Sequence, residues 1–418
     1  MLNGYHSHRQ VTQIRAIIWS GDAMATKKRI QNSFIILLAV FYILASQQLF
    51  ADQDNLTAFI NAVLIDGTGA EPVPKMAILV KGIRIFKVGH VSDMTIPLSA
   101  SRIDLKGATI LPGFFNSHVH AAHDERKLKR WSRGGVTTVR EMGNALGSHT
   151  GLRDRLLKDN RNARLIIAGP IVSNPGGYGT WHVSSPKDAK EKINDLIDKG
   201  VDFIKIGIED RQGLKSWPLI NGKLVNAIVE TAHSRGKSVS CHVTRSKHLV
   251  LALDGGTNSL EHMVYDELSD SMIERVVQEG VFWVPTLELW KNVSEQYGDW
   301  ILRNAVTNLD RFVKSGGKVV LGTDFAGFNA EFDPGMPITE ILLMKQASMT
   351  PMQIIVSATR NAAQLAGVIK DLGTIEPGKI ADMIVIRGNP LTNIKILGEV
   401  KMVIKSGEII KNEFLDDL

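Results

Sequence analysis

Leu111-Pro-Gly-Phe-Phe-Asn-Ser-His-Val-His120 is an apolar run that closes on two histidines two residues apart. The run reads as a strand, and side chains two apart on a strand share one face. His118 and His120 can therefore meet one metal ion. Taken alone, the pair is equally well two hydrogen-bonded histidines at a strand end.

Four further potential ligands stand where an apolar run gives way to a loop. Lys205 lies in Val201-Asp-Phe-Ile-Lys-Ile-Gly207, His242 in Ser238-Val-Ser-Cys-His-Val-Thr244, His262 in Ser259-Leu-Glu-His-Met-Val264 and Asp324 in Val319-Val-Leu-Gly-Thr-Asp-Phe-Ala326. Across 109–367 the pattern alternates strand and helix. After the first strand, runs at 137–140, 165–168, 201–206, 238–242, 259–262, 281–286 and 319–322 bring the count to eight. Helical periodicity falls between them, as in 224–233 and 272–277. Ligands drawn from early and late strands alike favour an α/β fold closed into a parallel (β/α)8 TIM barrel, whose strand ends gather at one mouth.

Imidazole and carboxylate donors without thiolates suit zinc, manganese, cobalt or iron, with zinc the default. Four histidines, a lysine and an aspartate exceed the needs of one tetrahedral ion, so two divalent ions are expected. The single cysteine, Cys241, adjoins His242 on its strand and should point away from the barrel interior as packing.

With these motifs in order, the chain resembles the amidohydrolase superfamily, in the branch of imidazolonepropionase and metal-dependent Xaa-Pro dipeptidase-like enzymes. The resemblance spans 55–413. It also includes Gly135-Val-Thr-Thr-Val-Arg140, Val284-Pro-Thr-Leu287, Ala358-Thr-Arg-Asn-Ala-Ala363, Leu372-Gly-Thr-Ile-Glu-Pro-Gly-Lys-Ile-Ala-Asp382 and Gly388-Asn-Pro-Leu391. It implies that His118, His120 and Asp324 hold one ion and His242 and His262 the other. A carbamate formed from Lys205 and carbon dioxide would bridge the pair. It further implies a hydroxide between the ions, with Asp324 moving its proton to the leaving nitrogen. Asn116 stands where many relatives carry Asp; it keeps a hydrogen-bonding group and loses the charge, which bears on tuning of the ligands rather than on ligation.

The implied activity is hydrolysis of a C–N bond in a small amide, dipeptide-like first and cyclic second. Lactonase or phosphotriester hydrolysis on the same site and a non-catalytic scaffold are the rivals; the full ligand set speaks against the scaffold. Tyr178 and His182, in the loop Pro175-Gly-Gly-Tyr-Gly-Thr-Trp-His182, and Tyr265 are candidate substrate contacts. Relatives often carry Gly-Gly-His where this loop has Tyr178. Arg140 would bind a substrate carboxylate or form a buried ion pair with Glu141 or another acid. His123, His233 and His248 fall at expected surface positions. No Gly-x-Ser-x-Gly elbow and no phosphate-binding Gly-Lys-Ser/Thr occurs.

At 418 residues and 44% hydrophobic content, the chain is long enough for a barrel and a smaller domain. Short strand-like runs at 58–65, 76–80, 83–88, 383–386 and 400–405 suggest that 52–108 and 368–418 combine into a small β-sandwich domain beside the barrel of 109–367. The formal charge of +6 is concentrated at the start: residues up to Ala51 contribute +4, leaving +2. A nucleic-acid partner therefore has no electrostatic support; a small molecule is the expected partner, and the pattern is compatible with a homo-oligomer. Residues 1–51 read as an upstream extension followed by a signal peptide from Met24. Lys27-Lys-Arg29 precedes the apolar run Phe34–Ala45, which is shorter than the roughly 20 residues of a membrane span. Export to the periplasm or medium is expected, with no stable membrane span after processing; an uncleaved anchor is the alternative, because Leu49 stands where a small residue is preferred.

Overall fold

The computed structural model describes residues 56–143, 148–156, 158–330, 332 and 334–414; the expected signal peptide lies outside them. Contacts group Thr57–Pro97 with Ser101–Leu418 into one compact unit. Among the described residues no helix is long and apolar enough to cross a membrane.

The strands expected to carry ligands form two parallel arcs. One joins β1 (Phe114–Val119), β2 (Val136–Glu141) and β3 (Arg164–Ile167). The other runs β4 (Ile171–Ser173), β5 (Ile204–Gly207), β6 (Val239–His242), β7 (Ser259–Glu261), β8 (Phe282–Val284) and β9 (Lys318–Val319), with Trp181–His182 beside β4. The sequence suggests one strand where β3 and β4 lie. Gly169 adopts φ +71° and Pro170 has no N–H to donate, so the ladder breaks there and the chain changes partner.

Hydrogen bonds outside the ladders join the arcs. Asp202 N–H donates to Ile167 O, and Ser117 N–H and Asp324 N–H donate to Leu321 O and His118 O; a single parallel bridge pairs Val119 with Phe325. The described strands are thus barrel-like without forming one uninterrupted hydrogen-bonded ring, where the sequence pattern suggests full closure. The last strand is ladder-paired only at Lys318–Val319, and the backbone beyond it turns off to present Asp324.

The intervening helices show why the periodicity was readable. Helix α1 (Gly222–Ser234) starts on Asn221, whose side chain accepts from Leu224 N–H, a cap worth about 1 kcal/mol. Its Leu224, Val225, Ile228, Val229 and Ala232 are buried, the 3–4 spacing of one apolar face. They join the core that includes Val239, Cys241 and Leu260. Burial of each larger side chain stabilises by roughly 1.5–3 kcal/mol.

Strands from both ends of the described chain share one mixed sheet. Its order is Glu408–Asn412, Val400–Lys405, Met383–Ile386, Thr109–Pro112, Leu56–Leu64, Val73–Lys81 and Arg84–His90, with Ser101–Asp104 also on Leu56–Leu64. The sequence suggests a sandwich; the observed strands belong to one hydrogen-bonded sheet with an apolar cluster of its own, including Phe59, Ile78, Ile110, Met383 and Ile404. Thr109–Pro112 continues through Gly113 into β1. A Cβ on Gly113 would lie 2.4 Å from Thr137 Oγ1, so glycine permits the close passage from sheet to barrel.

Candidate metal centre

Strand alternation carries His118 and, just past the end of β1, His120 to the same side. Lys205 lies on β5, His242 ends β6, His262 follows β7 and Asp324 follows β9. All six line a single cavity of about 970 Å³. His118 Nε2 and His120 Nε2 each lie 3.1 Å from Asp324 Oδ1, and these three residues can offer donors within 4.8 Å of one another. The His262 ring centre is 4.7 Å from that of His118 and 4.6 Å from that of His242.

Two of these positions are bent into place. His262 and Asp324 have φ of +73° and +59°, a left-handed conformation that costs on the order of 1–3 kcal/mol in a residue with a Cβ. At His262 the turn breaks strand alternation, so Glu261 and His262 both serve the interior. Glu261 Oε2 lies 2.8 Å from His118 Nδ1, while Glu261 Oε1 accepts from Ser259 Oγ–H at 2.8 Å. His120 Nδ1 faces Gly143 O at 3.3 Å, and His262 Nδ1 faces Thr286 Oγ1 at 2.9 Å. An Nδ1–H held by an acceptor leaves Nε2 as a lone-pair donor. His242 instead has its Nε2 3.6 Å from Glu209 Oε2 and 3.4 Å from Gln212 Nε2, so Nδ1 is the donor it has left to offer.

The buried polar atoms fit a cation. His118 Nε2, Lys205 Nζ and Asp324 Oδ1 are sealed from solvent and, among the described residues, make no well-aligned hydrogen bond, the 3.1 Å approach of His118 Nε2 to Asp324 Oδ1 included, an arrangement that is costly unless a ligand completes it. Burial pushes the Lys205 ammonium down to about 8, against the pull of Glu261 and Asp324, so a neutral amine is accessible near neutral pH. Burial also disfavours charge on Asp324, yet His118 and His120 hold its carboxyl well below the usual range.

The candidate substrate contacts separate. Tyr178 lines the cavity and stacks on His242 with ring centres 4.3 Å apart. A Cβ on Gly207 would lie 1.9 Å from Tyr178 O, so only glycine at the end of β5 lets this loop settle there. Tyr265 also lines the cavity; His182 and Arg140 do not. His182 O accepts from Lys192 Nζ at 2.7 Å. Arg140 is fully buried, donating to Ser117 O at 3.2 Å and Ser240 Oγ at 3.0 Å. Its nearest acid is Glu261 at 3.9 Å rather than Glu141, which places it in the buried ion-pair alternative.

Other expectations shift. Asn116 bonds Thr323 through Nδ2–H to Oγ1 at 2.9 Å and through Oδ1 to the Thr323 N–H at 3.1 Å; it ties the first strand to the last, and the acid on the His118 imidazole is Glu261. His248 is buried, with its Nε2 3.4 Å from Asp210 Oδ1, while His123 and His233 are exposed. Cys241 packs in the core, and burial pushes its thiol up to about 12. Glu261, Glu209 and Thr286 were not legible as parts of the site. A carboxylate beside a strand-end histidine was the available signal for Glu261, but regular alternation would have turned it outward.

The Amidohydrolase family profile matches residues 109–410. Ochratoxinase of Aspergillus niger is 23% identical, over 86% of this chain and 88% of that protein. Imidazolonepropionase of Thermoplasma volcanium is 21% identical, over 77% of this chain and 86% of that protein. A Xaa-Pro dipeptidase crystal structure with methionine in its active site superposes with a TM-score of 0.75 at 24% identity, covering 85% of this chain and 99% of that one. This likeness carries a TIM-barrel-like α/β fold.

Proposed function

Because the chain belongs to the amidohydrolase family, we propose that it is a metal-dependent hydrolase cleaving the C–N bond of a small amide. The observation that carries this reading is the convergence in one cavity of His118 Nε2, Lys205 Nζ and Asp324 Oδ1, none of them satisfied by a well-aligned hydrogen bond among the described residues. His118, His120 and Asp324 would hold one divalent ion and His242 and His262 a second, zinc first by donor chemistry. Such ions acidify a water and polarise a carbonyl.

The residues supply the rest. Asp324 takes the proton of the attacking water and returns it to the leaving nitrogen. Glu261 keeps the His118 imidazole in the tautomer that frees Nε2. The neutral Lys205 amine adds carbon dioxide, losing a proton as its N–C bond forms, and the carbamate presents two oxygens in place of one ammonium. Ochratoxinase, imidazolonepropionase and Xaa-Pro dipeptidase relatives support an amide-bond hydrolase, with dipeptide-like and cyclic amides as the first substrates to test. The composite domain of 52–108 with 368–418, and export directed by the segment from Met24, belong to the same proposal.

The test is turnover by purified protein loaded with zinc or manganese against dipeptides, N-acyl amino acids, neutral amides, cyclic amides, lactones and phosphotriesters. Hydrolysis of an amide, lost on chelation, is expected. Turnover confined to lactones or phosphotriesters would overturn the C–N assignment.

A further inference from the structure

Two series of aromatic contacts start from neighbouring histidines of the cluster and form two walls of the cavity. On one, His262 contacts Trp290 at 6.0 Å between ring centres, Trp290 contacts Tyr265 at 5.2 Å and Tyr265 contacts Trp300 at 5.7 Å. On the other, His242 stacks on Tyr178 at 4.3 Å and Tyr178 meets Trp217 at 5.1 Å. The rim is apolar although it is wet. Leu214, at the tip of the hairpin joining Arg211–Gln212 to Lys215–Ser216, is 99% exposed, and Tyr297, Phe328 and Trp300 are 53%, 45% and 44% exposed. These four rim side chains all border the cavity, and clustered exposed apolar surface marks a place where something apolar binds.

Charge is scarce in the same cavity. Among the described lining residues, the charged side chains other than the proposed ligands come down to Lys215, which is exposed on the hairpin. Arg140, the guanidinium expected to receive a carboxylate, is sealed outside it. A zwitterionic dipeptide would bring an ammonium and a carboxylate to walls that offer little charge to pair with, since Lys215 is exposed and the nearby Arg245 guanidinium is engaged by the Tyr265 hydroxyl at 3.2 Å, and desolvation without pairing costs several kcal/mol. Trp290 Nε1, by contrast, is buried without a hydrogen-bond partner among the described residues and can donate to a neutral oxygen. At about 970 Å³ the cavity sits at the upper end for drug-sized ligands, about 300–1,000 Å³.

We infer that the preferred substrate is an uncharged amide bearing a bulky aromatic group that lies between the two walls, rather than a dipeptide. This rests on the amide-hydrolase reading and narrows its substrate. Water delivers its OH to the acyl carbon, the C–N bond breaks and the nitrogen takes the remaining proton, giving a carboxylic acid and an amine.

The test uses three probes: N-phenyl-2-naphthamide, N-(2-naphthoyl)-phenylalanine, which adds a carboxylate, and the dipeptide Met-Pro. Binding to metal-free protein is followed by tryptophan fluorescence, and kcat/KM is measured on metal-loaded protein. The neutral naphthamide should bind most tightly and turn over at least about tenfold more efficiently than either charged probe. Trp300→Ala, at a half-exposed position, should weaken naphthamide binding by about three- to tenfold, as expected for loss of an aromatic contact. Better turnover of Met-Pro or of the naphthoyl amino acid would overturn the inference and leave the hydrolase reading standing. So would naphthamide binding indifferent to Trp300→Ala. Tight naphthamide binding with no amide turnover by metal-loaded protein would overturn the hydrolase reading and uphold the ligand class of the cavity.

Discussion

Glu261 Oε2 stands 2.8 Å from His118 Nδ1, with both side chains essentially sealed from solvent. The same carboxylate takes the Ser259 hydroxyl on its other oxygen and has Arg140 Nη1 at 3.9 Å. It is therefore anchored on the side away from the cavity. A fixed carboxylate on Nδ1 selects the His118 tautomer and raises the basicity of Nε2.

Glu261→Gln should accordingly lower metal affinity by about 10–100-fold, the usual effect of losing such a partner. Metal titration monitored by calorimetry or a competing chelator reads this directly. Circular dichroism separates it from unfolding, since leaving Arg140 without its acid will also lower the melting temperature. Unchanged affinity in a folded variant would remove Glu261 from the centre.

Asp324→Asn keeps an isosteric side chain at the left-handed position but cannot accept the proton of the attacking water. Turnover should fall by about 10²–10⁴-fold, the range for a general acid–base, with fold and part of the metal retained. Measuring kcat/KM alongside metal content distinguishes lost chemistry from lost metal. A near wild-type rate at full occupancy would exclude Asp324 as the proton carrier.

Outside the centre, the fully buried Glu340 accepts from the N–H groups of Leu287 and Glu288 at the start of helix α2 (Leu287–Tyr297). Burial outweighs those bonds and pushes its carboxyl up from 4.5 to about 8, with Glu288 nearby adding to the rise. A carboxyl that holds its proton more tightly when folded contributes fully below its unfolded value, and that contribution is lost as pH rises through the folded one. The contribution of Glu340 to the unfolding free energy should therefore decline between about pH 4.5 and 8, and Glu340→Gln should make the pH dependence less steeply downward across that window. Since one pKa unit corresponds to about 1.4 kcal/mol, urea midpoints at pH 5, 6.5 and 8 suffice to see it. Equal slopes in both proteins would show that Glu340 is ionised throughout.

The parts of this architecture that repeat were legible in the chain. The two-residue period placed His118 with His120, and the 3–4 spacing of Leu224, Val225, Ile228 and Val229 marked a buried helical face. What escaped depends on single backbone angles or on distant chain segments. Nothing local foretells φ +73° at His262, so the inward turn of Glu261 stayed hidden. His248 read as a surface residue, yet it is buried with its Nε2 3.4 Å from Asp210, far away in sequence. The aromatic walls assemble from Tyr178, Trp217, Tyr265, Trp290 and Trp300, which no short motif joins.

Lys205 offers the sharpest test of the two-ion proposal, because its chemical state decides whether two cations can share the site. Its Nζ is buried without a hydrogen-bond partner among the described residues, and burial has already brought its ammonium down to about 8. If the amine carries a carbamate, Lys205→Ala should reduce bound metal toward one ion or none and leave room for a small carboxylic acid. Acetate or propionate added with metal should then restore part of the activity by placing two oxygens where the carbamate's stood. Lys205→Arg should resist rescue, since its guanidinium keeps its positive charge at any accessible pH. Metal stoichiometry and turnover are measured for both variants with and without the acid, and intact mass of the wild type under carbon dioxide reads the modification itself. An active wild type with one tightly held ion and an unmodified Lys205 would refute the bridging carbamate, and the remaining ligands, the four histidines and Asp324, would then have to support the chemistry with a single ion.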